Sequence, residues 1–229
     1  MKNLTLPAII VFVLFAPDTH AQIFGIRTGL SLSTMLMKNS DLTYSDKLSK
    51  RQGFQFGPIV DLPMEKMVSF ETGLLFTGKG FKLNNKRDQL NTSDDVLKAN
   101  LLYLDIPLTL KLTVDLSDSK LFGVFGPYVG IGLKGTAKCD GDCSKDKEDI
   151  KFGNDEDIKR MDAGLTMGAG VEITPLQISG TYNVGLANLS TNTYDPSEKV
   201  KNRVWMIAIT LRFGNHRKDK NEKQLPSSQ

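Results

Sequence analysis

Hydrophobic and polar residues alternate along most of this chain with a period of two. In LLYLDIPLTLKL, residues 101–112, every second residue from Leu102 onward is leucine or isoleucine. A period of two is the repeat of a β-strand, whose successive side chains point to opposite faces, whereas a helix repeats every 3.6 residues. The pattern therefore predicts strands rather than helices.

Eight stretches with this alternation follow one another: residues 23–34, 53–62, 67–80, 101–112, 121–135, 161–173, 177–190 and 204–213. The connections near 63–66, 113–119 and 174–176 are short, and those near 37–52, 83–98, 135–159 and 191–201 are long and polar. Short turns at one end and long loops at the other are typical of outer-membrane barrels. We therefore predict an all-β fold, an eight-stranded antiparallel up-and-down transmembrane β-barrel.

The face of each strand that meets water distinguishes two kinds of barrel. In a soluble ligand-binding barrel the apolar face would point inward, whereas in a membrane barrel it meets lipid. The opposite face is rich in glycine and carries few charges, and a closed ring leaves no open strand edge in hydrocarbon. Aromatic residues near the strand ends could form two girdles, Phe54, Phe76 and Trp205 towards the loops and Phe70, Phe125 and Phe213 towards the turns. We favour the membrane barrel; a soluble periplasmic binding barrel is the alternative.

Ionisable residues occur on the face that this barrel would enclose. The acids are Asp61, Glu71, Asp105, Asp162 and Glu172, and the bases are Arg27, Lys79, Lys111, Lys134 and Arg212. An eight-stranded barrel is just wide enough for side chains to fill, so this balance predicts a lumen plugged by ion pairs. The alternatives are that several of these residues are solvated at the rims, or that a bulge reverses the faces of part of a strand.

Composition excludes some classes of function. Of the 229 residues, 40% are hydrophobic and 24% charged, with a net charge of +3. The bases lie mostly in connections and in the C-terminal segment, without a basic and aromatic stripe, so we expect no nucleic-acid partner. No later segment reaches the 18 apolar residues that indicate a membrane-spanning helix.

The first residues have the layout of a secretory signal peptide. Lys2 precedes an apolar stretch, residues 4–16, which is too short to span a membrane, and Thr19-His20-Ala21 offers a cleavage site. We therefore predict a signal peptide over 1–21, a barrel over 22–213 and a polar C-terminal tail over 214–229. Cys139 and Cys143 would then lie in an oxidising compartment, where a disulfide that closes a small loop is expected.

Enzymatic and cofactor chemistry has little support in the sequence. After removal of the signal peptide the only histidine is His216, in the tail, so we predict that the protein is not an enzyme and has no catalytic residues. GIGLKG, residues 130–135, matches a dinucleotide fingerprint but is followed by a polar stretch instead of a helix. The acids near 140–157 lack the spacing of a calcium loop. We expect no cofactor and no metal site.

Four stretches carry a resemblance to a known family. YLDIPLTLKL, GPYVGIGLKG, MDAGLTMGAGVEI and WMIAITLRF, in this order behind a signal peptide, resemble the Bacteroidetes-type porin-like outer-membrane β-barrel domain over residues 22–213. The resemblance implies that both termini are periplasmic. Phe213 resembles the terminal aromatic of the insertion signal that the barrel-assembly machinery reads, although 16 residues follow it.

The expected function is therefore that of a monomeric protein of the bacterial outer membrane. We predict a structural, surface-interaction or porin-like role, with a largely filled lumen and with loops, especially 135–159, that carry any recognition. Its expected partners are outer-membrane lipid, the assembly machinery and envelope proteins. Because some similar barrels belong to type IX protein secretion, an accessory role in secretion is the alternative.

Overall fold

The computed structural model describes residues 22–38, 48–85, 95–140, 148–153, 156–191 and 199–213. Eleven strands occur in these ranges: β1 Ile23–Lys38, β2 Leu48–Ser49, β3 Arg51–Pro63, β4 Val68–Gly73, β5 Leu75–Asn85, β6 Asp95–Asp115, β7 Lys120–Asp140, β8 Glu148–Ile150, β9 Met161–Ile173, β10 Leu176–Gly185 and β11 Lys199–Phe213. Among the described residues, no helix has the length and apolarity that a membrane span needs. The predicted signal peptide and C-terminal tail lie outside these residues.

The strands form a closed antiparallel ring. Each neighbour pairs with the next, and β11 returns to β1 over a continuous register from Phe24–Phe213 to Lys38–Lys199. β4 and β5 occupy one position, because both pair with β3 and β6 and only Leu74 separates them. The ring therefore has eight positions, with β2 and β8 as short additions to β5 and β7. The predicted all-β up-and-down barrel is confirmed.

The two longest strands extend beyond one end of the ring. β6 and β7 contain 21 residues each. A strand of that length measures about 70 Å and, tilted by about 40°, rises about 50 Å, twice the apolar band of about 25 Å in an outer-membrane barrel. The strands meet in a tight turn, where the Leu116 amide donates to the Ser119 carbonyl over 2.8 Å. The excess length therefore lies at the opposite end, which we call the loop end.

Apolar side chains cover the outside of the ring. Leu30 and Ile207 face each other across β1 and β11 and are 72% and 69% exposed, respectively. The predicted girdle residues Phe54, Phe76, Phe125, Trp205 and Phe213 are also exposed, and Phe70 is half-buried. Polar residues such as Gln55 and Thr210 are buried inside. A water-soluble barrel would have the reverse arrangement, because burial of apolar surface is what stabilises its core.

The arrangement of polar and apolar faces reverses near the loop end. Within β6, Ala99 and Leu101 both point inward and are buried, whereas Lys98 and Asn100 take the outward positions. From Leu102 towards the turn, the outward positions become apolar instead. The consecutive leucines at 101 and 102 thus mark a boundary, beyond which the barrel has the apolar interior and polar exterior of a protein in water.

Candidate functional site

The interior of the ring is the candidate site, because it concentrates the charges. Nine acidic or basic residues are buried among those that the structure describes: Arg27, Asp61, Glu71, Lys79, Asp105, Lys111, Asp162, Glu172 and Arg212. The set includes all seven residues that the sequence predicts as lumen ion-pair candidates: Arg27, Asp61, Glu71, Asp105, Lys111, Glu172 and Arg212. They form three groups along the lumen, which differ in their depth from the turn end.

The group nearest the turns, here called the turn-end cluster, comprises Asp61, Lys111, Glu172, Gln177 and Arg212. The Lys111 ammonium lies 3.0 Å from Asp61 Oδ2, 3.0 Å from Gln177 Oε1 and 3.5 Å from Glu172 Oε2. Arg212 donates to Asp61 over 2.6 Å and also contacts Glu172. Two bases and two acids thus neutralise one another where the lumen meets the turns.

A single ion pair, the middle pair, crosses the centre of the lumen. Arg27 Nη2 donates to Glu71 Oε2 over 2.8 Å, and Arg27 Nε donates to Thr210 Oγ1 over 3.1 Å. The cavity beside this pair has a volume of about 20 Å³ and is lined by both residues together with Gln55 and Tyr128. That space is about enough for one water molecule. Side chains therefore occupy the centre of the barrel.

The third group, the Lys79 cluster, is Lys79 with Asp105, Tyr128, Asp162 and Asn202. The Lys79 ammonium donates to Asp105 Oδ1 over 2.8 Å and to Asp162 Oδ2 over 2.9 Å. Asp162 Oδ2 also accepts from Asn202 Nδ2 over 2.9 Å and from Tyr128 Oη over 3.3 Å. The ammonium lies 4.8 Å from the centre of the Tyr128 ring, which is within the range of a cation–π contact.

An apolar layer closes the lumen above the Lys79 cluster. This loop-end cap consists of Met35, Leu101, Tyr103 and Phe152, all buried. The Phe152 ring meets the Tyr103 ring edge to face, with 5.6 Å between their centres. Phe152 belongs to the segment after β8, which turns back over the barrel and is held by the Arg160 guanidinium, 2.9 Å from the Phe152 carbonyl oxygen.

Lys134 was wrongly predicted to face the lumen. It is exposed, because the register of β6 and β7 shifts between Leu102 and Tyr103: Leu102 pairs with Lys134, whereas Tyr103 pairs with Gly132. Leu133 is the extra residue, and the bulge reverses the faces beyond it. The predicted balance of five acids and five bases therefore becomes five acids and four bases among the described residues.

Several contributors to the lumen were not singled out from the sequence, among them Gln177, Asn202 and Phe152. Gln177 and Asn202 lie at enclosed positions of their strands, so their polar character combined with the alternation could have identified them. Phe152 lies within residues 135–159, the connection that the sequence predicts to be long and polar. An isolated phenylalanine among charged residues was the available signal, but only the fold reveals the surface that it covers.

The remaining predicted positions are as follows. Cys139 is disulfide-bonded, and Cys143 lies outside the described residues. Phe213 is the last residue of β11, where it points outward and pairs with Phe24. No group of three His, Cys, Asp or Glu residues in the described ranges has the arrangement of a metal site.

A closed ring with an apolar exterior and an enclosed polar interior defines a small outer-membrane β-barrel. The family model described as "Outer membrane protein beta-barrel domain" matches residues 20–191, and the chain belongs to this family. It is therefore a protein of the bacterial outer membrane. The finer assignment to the Bacteroidetes type stays a prediction. No curated protein matches the chain.

Solved structures that are similar to this chain include the following three. Ail, the attachment invasion locus protein of Yersinia pestis, is 18% identical, with coverage of 83% of this chain and 98% of Ail and a TM-score of 0.36. OprG from Pseudomonas aeruginosa is 12% identical, with coverages of 86% and 98% and a TM-score of 0.44. Neisserial surface protein A is 10% identical, with coverages of 83% and 97% and a TM-score of 0.38. At these values the likeness carries no information about function.

Proposed function

We propose that the protein is a non-enzymatic, monomeric outer-membrane barrel whose lumen is plugged and whose loop end serves contacts at the cell surface. The observation that carries this proposal is the filling of the lumen by three groups of ion pairs beneath an apolar cap, with a cavity of only about 20 Å³ at its centre. A pore for solutes needs a continuous aqueous path, which these side chains obstruct.

The ion pairs also bear on the proposed absence of catalysis. A carboxylate that acts as a general acid or base must reach a substrate proton within hydrogen-bond distance. Glu71 is held by Arg27, and Asp105 and Asp162 share Lys79. These contacts give the buried carboxylates a structural role in the plug.

We place the short turns and both ends of the barrel in the periplasm, with the extensions of β6 and β7 outside the cell. The exposed leucines and phenylalanines then contact outer-membrane lipid. Phe213, at the end of the closing strand, is the residue that we assign to recognition by the barrel-assembly machinery. Envelope proteins are the candidate partners of the loop end.

Single-channel recording in planar bilayers tests the plugged lumen. The folded protein is expected to give a current at the baseline of the bilayer, whereas an open porin, measured in the same bilayer as a positive control, gives stable steps. Long-lived open steps from the unmodified protein would contradict the proposal.

An accessory role in protein secretion, including type IX secretion, rests on the family resemblance alone. Deletion of the gene separates the two roles. A surface or structural role predicts unchanged secreted cargo together with altered envelope integrity or adhesion, whereas an accessory role in secretion predicts loss of the cargo from the medium.

A further inference from the structure

The outward-facing residues of β11 change from apolar to basic along the strand. From Phe213 through Ile207 every outward residue is apolar, and Trp205 follows them. The next three outward positions are basic and belong to Arg203, Lys201 and Lys199. No acid of the described residues forms a salt bridge with these three bases. Positive charge thus begins where the apolar surface of this strand ends.

Arg203 is held in place at this boundary. Its Nη1 donates to the Tyr182 hydroxyl over 3.1 Å, and the Tyr182 ring stacks on Trp205 with 4.4 Å between ring centres and 24° between planes. A guanidinium has five N–H donors, so one bond to Tyr182 leaves donors for a second acceptor. Thr34 pairs with Arg203 on the neighbouring β1 and places a hydroxyl at the same level.

On the turn side of these side chains, the lack of a side chain at Gly180 defines a gap in the apolar surface, here called the furrow. Gly180 of β10 pairs with Ile207 and with Ala169, which is also small. A Cβ added at Gly180 would meet no atom within 4 Å. The neighbouring Ile207 is exposed and projects from the barrel, so the missing side chain leaves a gap beside it on the apolar surface beneath Tyr182 and Trp205.

We propose that this face of β10 and β11 is a binding site for a phosphate-bearing lipid. Arg203, Lys201 and Thr34 contact the phosphate, and an acyl chain lies in the furrow at Gly180. Arginine presents a fork of donors that matches phosphate oxygens, and bases beside a membrane attract anionic headgroups. Because the bases continue the apolar column of the same strand, one molecule with both an anion and a hydrocarbon chain fits the site better than a soluble anion. The site depends on the membrane placement of the barrel but not on the plugged lumen.

Native mass spectrometry of the folded full chain in detergent micelles tests the site, with dipalmitoyl phosphatidic acid as the probe. The double variant Lys201→Gln/Arg203→Gln is expected to bind the probe about 30-fold more weakly, because each base near an anionic headgroup contributes about fivefold in affinity. Gly180→Leu, which places a side chain in the furrow and whose Cβ meets no atom within 4 Å, is expected to weaken binding as well. The matched control Lys66→Gln/Lys120→Gln removes two bases at the turn end and is expected to leave binding unchanged.

Three results would overturn the proposal. The first is equal loss of affinity in the control variant, which would indicate attraction to net charge alone. The second is unchanged binding in Lys201→Gln/Arg203→Gln, with folding verified by heat-modifiable mobility on a gel. The third is competition by inorganic phosphate at the concentration of the probe, which would assign the bases to a free anion. Dipalmitoylglycerol, which lacks the phosphate, serves as a control for the headgroup. It is expected to bind no better to the unmodified chain than to the double variant.

Discussion

Lys79 illustrates how a charge is accommodated inside this barrel. Its side chain is completely buried, and burial of an isolated ammonium is costly unless partners compensate for the lost water. Here two carboxylates, from Asp105 and Asp162, lie within 2.9 Å, and the faces of Tyr103 and Tyr128 lie within 4.8 Å. Because the acids belong to β6 and β9, this one side chain joins three strands across the lumen.

Replacement of Lys79 by methionine removes the charge but retains much of the volume. Lys79→Met leaves Asp105 and Asp162 facing each other without their base and is expected to lower the free energy of unfolding by about 3 to 5 kcal/mol. The measurement is urea unfolding of the barrel in lipid vesicles, followed by the fluorescence of Trp205, the single tryptophan.

The matched control for Lys79→Met is Lys120→Met, at the turn. Lys120 pairs with Asp115 over 3.0 Å, but the two side chains are 43% and 67% exposed. Such solvated pairs contribute about 0 to 1 kcal/mol, so a small change is expected. Equal effects of the two substitutions would contradict a structural role for the buried cluster.

Apart from Lys134, the sequence predicts which charged residues lie inside the barrel, but it does not predict which of them pair. The alternation places Asp61 and Glu71 on the enclosed face, and in the structure they are direct cross-strand neighbours on β3 and β4. Like charges at such positions repel each other. Each of the two carboxylates binds different bases: Asp61 binds Lys111 and Arg212, whereas Glu71 binds Arg27. Which base each acid binds depends on the register between the strands of the closed ring. The alternation within a single strand does not specify that register.

At the scale of elements, the reversal of faces in β6 could have been found in the sequence. Two consecutive leucines, 101 and 102, break the phase of the alternation, and a change of phase without a turn indicates a change of surroundings. The bulge at Leu133 of β7 is different, because GIGLKG continues the same rhythm and the extra residue emerges only from the pairing with β6. That is why the predicted position of Lys134 was wrong.

The loop-end cap leads to a prediction for one element, the segment from Ile150 to Arg160. Phe152→Ala removes the ring that packs on Tyr103 and is expected to lower the free energy of local opening by about 3 kcal/mol. The amide hydrogens of Gly153 and Ile158, which bond to the carbonyls of Ile158 and Lys151, should then exchange about 100-fold faster. Hydrogen–deuterium exchange with mass spectrometry measures this change.

Phe54→Ala is the control for the cap. Phe54 is as large as Phe152 but points outward from β3, whereas Phe152 is buried in the cap at the loop end of the lumen. Exchange at Gly153 and Ile158 should be unchanged in this variant. If Phe152→Ala also left their exchange unchanged, the ring would not be what holds the segment over the lumen.

The whole molecule depends on closure of the ring between its first and last strands. β11 lies between β10 and β1 and bonds to both. Without it, both neighbours would expose unpaired backbone groups to hydrocarbon, at several kcal/mol per group. The sequence predicts a closed ring from two patterns: the eight alternating stretches, and the regular change between short and long connections.

A circular permutant separates closure from chain order. Phe24 and Phe213 are paired neighbours, so a short flexible linker can join residue 22 to residue 213, and new ends can be opened between Glu65 and Lys66 in an exposed turn. Every strand pairing is retained, so the permutant refolded in detergent micelles should migrate on a gel as a folded, heat-modifiable barrel. A chain that ends at residue 198 lacks β11 and should give no such band. The two proteins differ in whether the ring can close. A folded band from the truncated chain, or none from the permutant, would therefore show that closure is not what specifies this fold.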